Sequence, residues 1–459
     1  MFLTDTIAAV STGMTNSGIG IVRISGSEAF EIADRVFKAK KGNVKIFEMK
    51  SHTLHYGYIH EDNKIIDEVL LTVMKAPNTY TTEDTVEINC HGGITVVNKV
   101  LETVLKKGAR PAQPGEYTKR AFLNGRIDLS QAEAVIDIIH AKNQYALSNS
   151  VHQLNGAVSE KIKVIREKII NSMAYIEAAL DDPEHISLDG YKKELQLTVN
   201  EIKKELKKLL DSFDNGKILC EGIKTVILGK PNAGKSSFLN ALIGEERAIV
   251  TEIEGTTRDT LEENILINGI NLNIIDTAGI RDSEDKVEQI GIERAKKCAE
   301  QAELILYVLD SSRNLDENDK KILEIIKEKK AVFLYNKSDL NPVLKIEEIK
   351  KIANAPVIKI SAKHGHGIEE FEDLIKEMFL KEKIGGNDEV FITSARQKND
   401  IFNACQSIIM VEQSISEGVS EDFYTIDFMN AYESLGRVIG EAVEEDLVNT
   451  IFSRFCMGK

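Results

Sequence analysis

Eight residues, Gly229-Lys230-Pro231-Asn232-Ala233-Gly234-Lys235-Ser236, constrain this chain more than any other feature. They fit GxxxxGK[ST] and directly follow the apolar run Val226-Ile227-Leu228, so a strand should feed a glycine-rich loop and then a helix. The glycines let backbone N–H groups turn inward around phosphate oxygens. Lys235 puts a cation on the outer phosphates, and the Ser236 hydroxyl suits Mg²⁺. Asn232, Ala233, Gly234, Lys235, Ser236 and Ser237 are therefore expected to line the phosphates.

Further nucleotide motifs follow in order. Asp276-Thr277-Ala278-Gly279 ends the apolar run from Leu272 to Ile275. A carboxylate there can hold Mg²⁺ through water, and Gly279 lets its N–H approach the terminal phosphate. Gly255-Thr256-Thr257-Arg258-Asp259 lies between, with Thr257 as the expected second hydroxyl on Mg²⁺. Asn336-Lys337-Ser338-Asp339 follows the strand-like Ala331–Tyr335, and Ser361-Ala362-Lys363 follows Pro356–Ile360. Asp339 can accept from the N1–H and exocyclic amine of guanine, a donor pair that adenine lacks. A site built for such a group rejects the analogue without it by roughly 10⁴ or more. GTP is the expected nucleotide.

Position 280 is an exception. Ras-like enzymes place there a Gln that orients the attacking water. Here it is Ile280, which neither donates nor accepts. Water must be activated, and charge neutralised, by other groups. One missing positive charge is worth roughly 10³–10⁵ in rate. On spacing alone Asn232 reads two ways, as a loop amide satisfying local backbone or as a ligand for a monovalent cation.

The 459 residues suggest two to four domains. A formal charge of -15 argues against a generic nucleic-acid binder. No run approaches about 18 apolar residues and no signal-peptide pattern opens the chain, so it is expected to be soluble and cytoplasmic, without a membrane partner. Five cysteines with no CxxC pair suggest neither a disulfide framework nor zinc. Cys90-His91 reads as catalytic or, preferably, as a strand end leading into Gly92-Gly93.

Residues 1–118 read as an α+β domain. Strand-like runs lie at Gly20–Ile24, Thr53–Ile59, Glu68–Met74 and Thr85–Asn89, and helical runs near Ser27–Phe37 and Thr95–Lys107. Residues 119–218 read as helical. Ile162, Ile165, Ile169, Met173 and Ile176 form one apolar stripe, and Leu195, Val199, Ile202, Leu206 and Leu209 a second. Asp182-Pro183 separates them. Residues 219–379 alternate strands and helices, as a doubly wound Ras-like P-loop sheet does. After the polar linker Lys381–Asn387, residues 380–459 return to helix. The expected class is a multidomain α/β plus all-α chain with the nucleotide domain inserted into the helical domain.

These residues together resemble the MnmE (TrmE) family of tRNA modification GTPases over the full length. The likeness is carried by Val22-Arg23-Ile24-Ser25-Gly26, His91-Gly92-Gly93, Arg120-Ala121-Phe122-Leu123-Asn124, Asp128-Leu129-Ser130-Gln131-Ala132-Glu133-Ala134, the Gly-Thr-Thr-Arg-Asp motif, and the closing Cys456-Met457-Gly458-Lys459. The resemblance implies a homodimer joined through the N-terminal domains. It implies a heterotetramer with an MnmG-type flavoprotein that carries FAD and uses NADH. With that partner, such proteins add an aminomethyl or carboxymethylaminomethyl group at C5 of the tRNA wobble uridine. The carbon comes from a folate donor, 5-formyl- or 5,10-methylene-tetrahydrofolate.

The same resemblance assigns roles to single residues. Asn232, Thr251, Ile253 and Thr256 would ligate K⁺, which would replace an arginine finger, and Thr251 and Thr256 would also face the nucleotide. Glu288 would position the attacking water. Lys235 and Thr257 complete the catalytic set. Arg23, Glu87 and Lys459 would contact folate, as would Arg126, which stands where the family often has Lys and so differs in geometry. Cys456 would act either chemically, as a thiol adding to the uridine ring, or structurally. The competing function is a GTP-switched assembly factor of the ribosome type, which would need neither the folate residues nor the terminal cysteine.

Overall fold

The computed structural model describes residues 5–40, 45–62, 64–182, 184–185, 190–247, 263–275, 296–352, 354–379, 391–420, 422–441 and 443–458. The chain forms two compact units. One comprises residues 1–136, 152–206 and 399–459, and the other residues 137–151 and 207–398.

The first unit begins with a mixed sheet. Its strands are β1 (Ile7–Val10), β2 (Ile19–Ser25), β3 (Phe37–Ala39), β4 (Thr53–Glu61), β5 (Lys64–Met74), β6 (Thr85–His91) and β7 (Arg110–Pro111), in the order β3-β4-β5-β6-β2-β1-β7. Every neighbouring pair is antiparallel except β1 and β7. Helices α1 (Ala29–Val36) and α2 (Ile94–Lys106) cover one face, where Ile32, Val36, Val97, Val100 and Val104 pack on Val22, Ile24, Leu71 and Ile88. Because side chains alternate faces along a strand, Arg23 lies opposite that core. The register sets it directly across from Glu87. Helix α3 (Glu116–Leu123) serves this other face, with Tyr117 packed on Ile7 and Ala9.

The helical stretch comprises α4 (Leu129–His140), α5 (Gln144–Leu154), α6 (Ala157–Asp181) and α7 (Tyr191–Glu221). Both sequence stripes are buried along their whole length. Helix α6 ends at Asp181, as the Asp182-Pro183 break predicts.

The second unit holds the six-stranded sheet: β8 (Ile223–Gly229), β9 (Glu263–Ile267), β10 (Ile270–Ile274), β11 (Leu304–Asp310), β12 (Ala331–Asn336) and β13 (Val357–Lys359). Its order is β13-β12-β11-β8-β10-β9, parallel except for the β9–β10 hairpin. Helices α8 (Lys235–Arg247), α9 (Glu317–Ile326), α10 (Ile346–Ile352) and α11 (Ile368–Phe379) intervene between strands or follow them. The strands are apolar on both sides. Ile227, Leu306, Val308 and Leu334 feed one core, and Val226, Tyr307, Phe333 and Tyr335 the other. Sheets buried on two faces carry such unbroken apolar runs. The connection from β8 runs outward on one side and later strands fill the other. The strand order therefore reverses at β8, and the crevice at the strands' carboxyl ends is where a ligand sits.

In the first unit, α12 (Ala395–Glu417), α13 (Asp422–Ile439) and α14 (Glu445–Phe452) complete the chain from residue 399 onward, and α13 packs along α6. Among the described residues, no helix is long and apolar enough to cross a membrane.

Candidate functional site

The phosphate loop leaves β8 at Gly229 and enters α8 at Lys235. Its turn is tight enough to need unusual backbone. Asn232 sits at φ 61° and Gly234 at φ 101°. A Cβ on Gly234 would stand 2.1 Å from Asn336 Nδ2, so only glycine fits. The Lys235 ammonium donates to the carbonyls of Gly229 (2.9 Å) and Lys230 (2.8 Å). Burial holds its pKa below the usual lysine value. A half-buried cation whose partners among the described residues are two carbonyls is a strong seat for an anion. Ser236 and Ser237 occupy the first turn of α8, whose N-terminal N–H groups and dipole favour phosphate.

Asn336 joins this loop to the base motifs. It is buried, donates from Nδ2 to the Ala233 carbonyl (2.8 Å), and accepts at Oδ1 from the Ala362 N–H (3.0 Å). One amide thus ties the Gly229–Lys235 loop to the turn after β13. Asp339 accepts from the Ser361 hydroxyl at 2.7 Å, and that bond holds its carboxyl below the usual aspartate value. The Lys337 ammonium is held by Asp310 at 2.6 Å, and Ser361 to Lys363 lie in the turn after β13.

A second constellation lies on the face of the N-terminal sheet opposite its core. Arg23 donates from Nε to Glu87 Oε1 at 2.8 Å, with Nη2 also 2.8 Å from that oxygen. Both side chains are about one-fifth exposed, 18% and 21%. The Arg23 guanidinium lies over the rings of Tyr117 (5.5 Å) and Tyr80 (5.9 Å). The Tyr117 hydroxyl donates to the Arg23 carbonyl at 2.8 Å. Arg126 covers Tyr80 at 4.7 Å and donates to its carbonyl at 3.2 Å. Two guanidinium groups therefore share one aromatic ring.

The end of the chain docks in the same unit. Gly458 is buried and its carbonyl accepts from Ser11 Oγ at 3.2 Å, while the Gly115 N–H donates to the Cys456 carbonyl at 3.4 Å. A Cβ on Gly458 would meet the Val10 carbonyl oxygen at 2.1 Å. Cys456 itself is exposed.

A model of the MnmE helical domain matches residues 129–456, and one described as the GTP-binding protein TrmE N-terminus matches residues 6–126. A protein of Lachnoclostridium phytofermentans named tRNA modification GTPase MnmE is 58% identical over 456 residues, covering 99% of this chain and 100% of that one. The chain belongs to the MnmE family. Relatives of the same name from Clostridioides difficile and Acetivibrio thermocellus are 48% and 47% identical, each covering 100% of both chains.

Of the site residues expected for such a family member, the structure brings Asn232, Ala233, Gly234, Lys235, Ser236 and Ser237 into one linked group of loops with Asn336, Asp339, Ser361 and Ala362. Lys337 and Lys363 are on its flanking loops. Arg23, Glu87 and Arg126 converge on the tyrosine-lined face. Thr251, Ile253, Thr256, Thr257, Asp276, Thr277, Ala278, Gly279, Ile280, Glu288 and Lys459 lie outside the described residues, as does the linker Lys381–Asn387. Cys90 is the next-to-last residue of β6, which ends at His91; burial, with Asp67 nearby, pushes its thiol up to about 11, and it donates to the Gly20 carbonyl. The strand-end reading of that pair holds.

Sequence reasoning missed Tyr80, Tyr117 and the role of Arg120. Three residues of the 120–126 motif read the loop before β6. Arg120 meets Glu83, Asn124 donates to the Thr81 carbonyl, and Arg126 covers Tyr80. The only available signal was the motif itself, since nothing in the spacing says which loop it faces.

Proposed function

We propose that this chain is a K⁺-dependent GTP hydrolase acting in tRNA wobble-uridine modification, in the cytoplasm, with an MnmG-type flavoprotein partner and a folate one-carbon donor. The observation that carries the nucleotide reading is Asn336. This buried amide bonds at once to the phosphate loop and to the base-pocket loop. A GTP molecule spanning the two would find its anionic and aromatic ends already spaced.

In this reading Lys235 exchanges its two carbonyl partners for phosphate oxygens, and backbone N–H groups of residues 232–237 take the rest. Ser236 would hold Mg²⁺ together with Thr257 and Asp276, and the ion would neutralise developing charge on the phosphates. Asn232, with Thr251, Ile253 and Thr256, would hold K⁺, and Glu288 would position water. Asn232, at φ 61°, is exposed in the turn of the loop. Steady-state hydrolysis should be at least tenfold faster in K⁺ than in Na⁺ at equal ionic strength, a modest part of the roughly 10³–10⁵ that one added cation can supply. Equal rates in the two salts would remove the K⁺ assignment.

The folate reading rests on Arg23 and Glu87. The ion pair engages one carboxylate oxygen, Oε1, which leaves Oε2 for the donors of a pterin ring. Arg23 and Arg126 suit an anionic tail. We expect Arg23→Ala to weaken tetrahydrofolate binding at least tenfold, as loss of a charge-assisted bond does, with GTP turnover unchanged. Calorimetric titration with 5-formyl-tetrahydrofolate checks this; unaltered affinity would take Arg23 out of the site. Homodimer formation is supported by apolar side chains exposed on β4 and β5, Leu54, Tyr56, Ile65 and Leu70.

A further inference from the structure

We propose that Lys230 is a positioning residue for GTP, a latch that ties the phosphate loop to the N-terminus of α9. The GxxxxGK[ST] pattern leaves this position free, and no role is assigned to it above. Its two ends nevertheless do separate jobs. Its carbonyl accepts from the Lys235 ammonium at 2.8 Å. Its own ammonium pairs with Asp319 at 2.8 Å and with Asp316.

The anchor is stiff. Asp316 caps α9, accepting at Oδ1 from the N–H groups of Asn318 and Asp319, both at 3.0 Å. Asp319 returns the bond, accepting at Oδ2 from the Asp316 N–H at 3.1 Å. That reciprocal arrangement satisfies the free N–H groups of a helix start and fixes both carboxylates. Asp319 is buried and accepts a further bond, at 2.8 Å, from the hydroxyl of Tyr307, which is fully buried on β11. Burial alone would lower the Lys230 pKa, but its two carboxylate partners outweigh that and raise it, so the ammonium stays protonated at neutral pH.

The segment from Asp310 to Asp319 also braces the base motif. Asp310 accepts from the Lys337 ammonium, and Ser311 Oγ donates to the Lys337 carbonyl at 2.9 Å. The stretch from Asp310 to Asp319 therefore holds both loops, the phosphate loop through Lys230 and the Asn336–Asp339 motif through Lys337. Releasing Lys230 frees the loop that presents Lys235 and whose backbone N–H groups would meet the phosphates, so ground-state and transition-state binding weaken alike.

The latch rests on the GTP reading, and the test separates the two. KM and kcat for GTP, and the Kd for a fluorescent GDP analogue, would be measured for wild type, Lys230→Met, Lys230→Arg and Asp316→Asn. If the wild type neither binds nor hydrolyses guanine nucleotide, the GTP reading falls. With an active wild type, Lys230→Met should raise KM and Kd about tenfold with kcat within about twofold, the pattern of lost uniform binding. Lys230→Arg should recover most of that loss. Asp316→Asn should move KM the same way, and the double variant should be less than additive, as members of one network are. Unchanged KM in Lys230→Met, even with a lowered Tm, would overturn the latch. So would tighter GTP binding by Asp316→Asn, which would make Lys230 a phosphate ligand released from its carboxylate.

Discussion

Asp339→Asn should turn a guanine-selective site into one that prefers xanthine nucleotides. The Ser361 hydroxyl occupies Oδ1 of Asp339 and fixes the carboxylate plane. Oδ2, with His364 Nε2 3.9 Å away, is the oxygen that would meet the paired donors on the base edge. The Ser361 bond, then the residue's own backbone N–H, hold the carboxyl below the usual aspartate range, so it stays ionised at any pH near neutral. An amide in its place presents a donor where guanine also presents one, whereas xanthine offers a carbonyl oxygen there. A site that forms such a bond discriminates against a ligand unable to make it by roughly 10⁴. We expect kcat/KM for GTP to fall by about that factor and hydrolysis of XTP to appear. The phosphate loop should be untouched, because Asn336, not Asp339, is bonded to it. Competition between GTP and XTP in one hydrolysis assay reads the switch directly. Retained GTP selectivity would refute the base-pocket assignment.

The nucleotide half of this protein was readable because its chemistry is local. Backbone N–H groups, one lysine and one hydroxyl within eight residues make a phosphate cradle wherever a strand precedes and a helix follows, and both do here. The helical stripes were readable for a similar reason, since a period of three or four residues fixes the buried face before any partner is known. Arg23 and Glu87 are the opposite case. Each looks like an isolated charge near a strand. Their pairing depends on the antiparallel register of β2 with β6, which brings together residues 64 positions apart. Without the family resemblance nothing selects that register over its neighbours. The two tyrosines that sandwich Arg23 were invisible for the same reason. Tyr80 comes from a loop and Tyr117 from α3, and neither stands in a pattern. Lys230 was hidden differently. It sits inside the best motif of the chain, at a position the motif leaves open, and its carboxylate partners are contributed by a helix start nearly 90 residues on.

Arg120→Met should cost the first unit about 1–3 kcal/mol, because it takes the guanidinium from Glu83 and leaves Arg110 as the remaining arginine on Asp5 and Glu116. Arg120 is 1% exposed. Its Nη1 donates to the Asp5 carbonyl (2.8 Å) and to Glu83 (3.0 Å), and its Nη2 to Asp5 Oδ1 (2.7 Å) and Glu116 (3.0 Å). Glu116 is itself buried and shared with Arg110. Burial alone would raise the Glu116 and Asp5 carboxyls, but the two arginines outweigh it and hold both below their usual values. The sign follows from that direction. Groups with depressed folded pKa values contribute stability above about pH 4, the unfolded carboxylate value, and lose it as pH falls through the folded values. The wild type should therefore lose stability steeply on the acid side, and Arg120→Met should be both less stable at neutral pH and flatter below it. Urea unfolding followed at several pH values tests both parts. The effect should also be confined to one unit. Guanine nucleotide affinity should survive, since the nucleotide motifs lie on a different sheet with its own two cores, while the loop that carries Tyr80 loses the Arg120–Glu83 bond and keeps the Asn124 bond to the Thr81 carbonyl. A variant as stable as the wild type, with the same acid limb, would mean that the arginine is replaceable by apolar packing and that the buried charges serve no stabilising role.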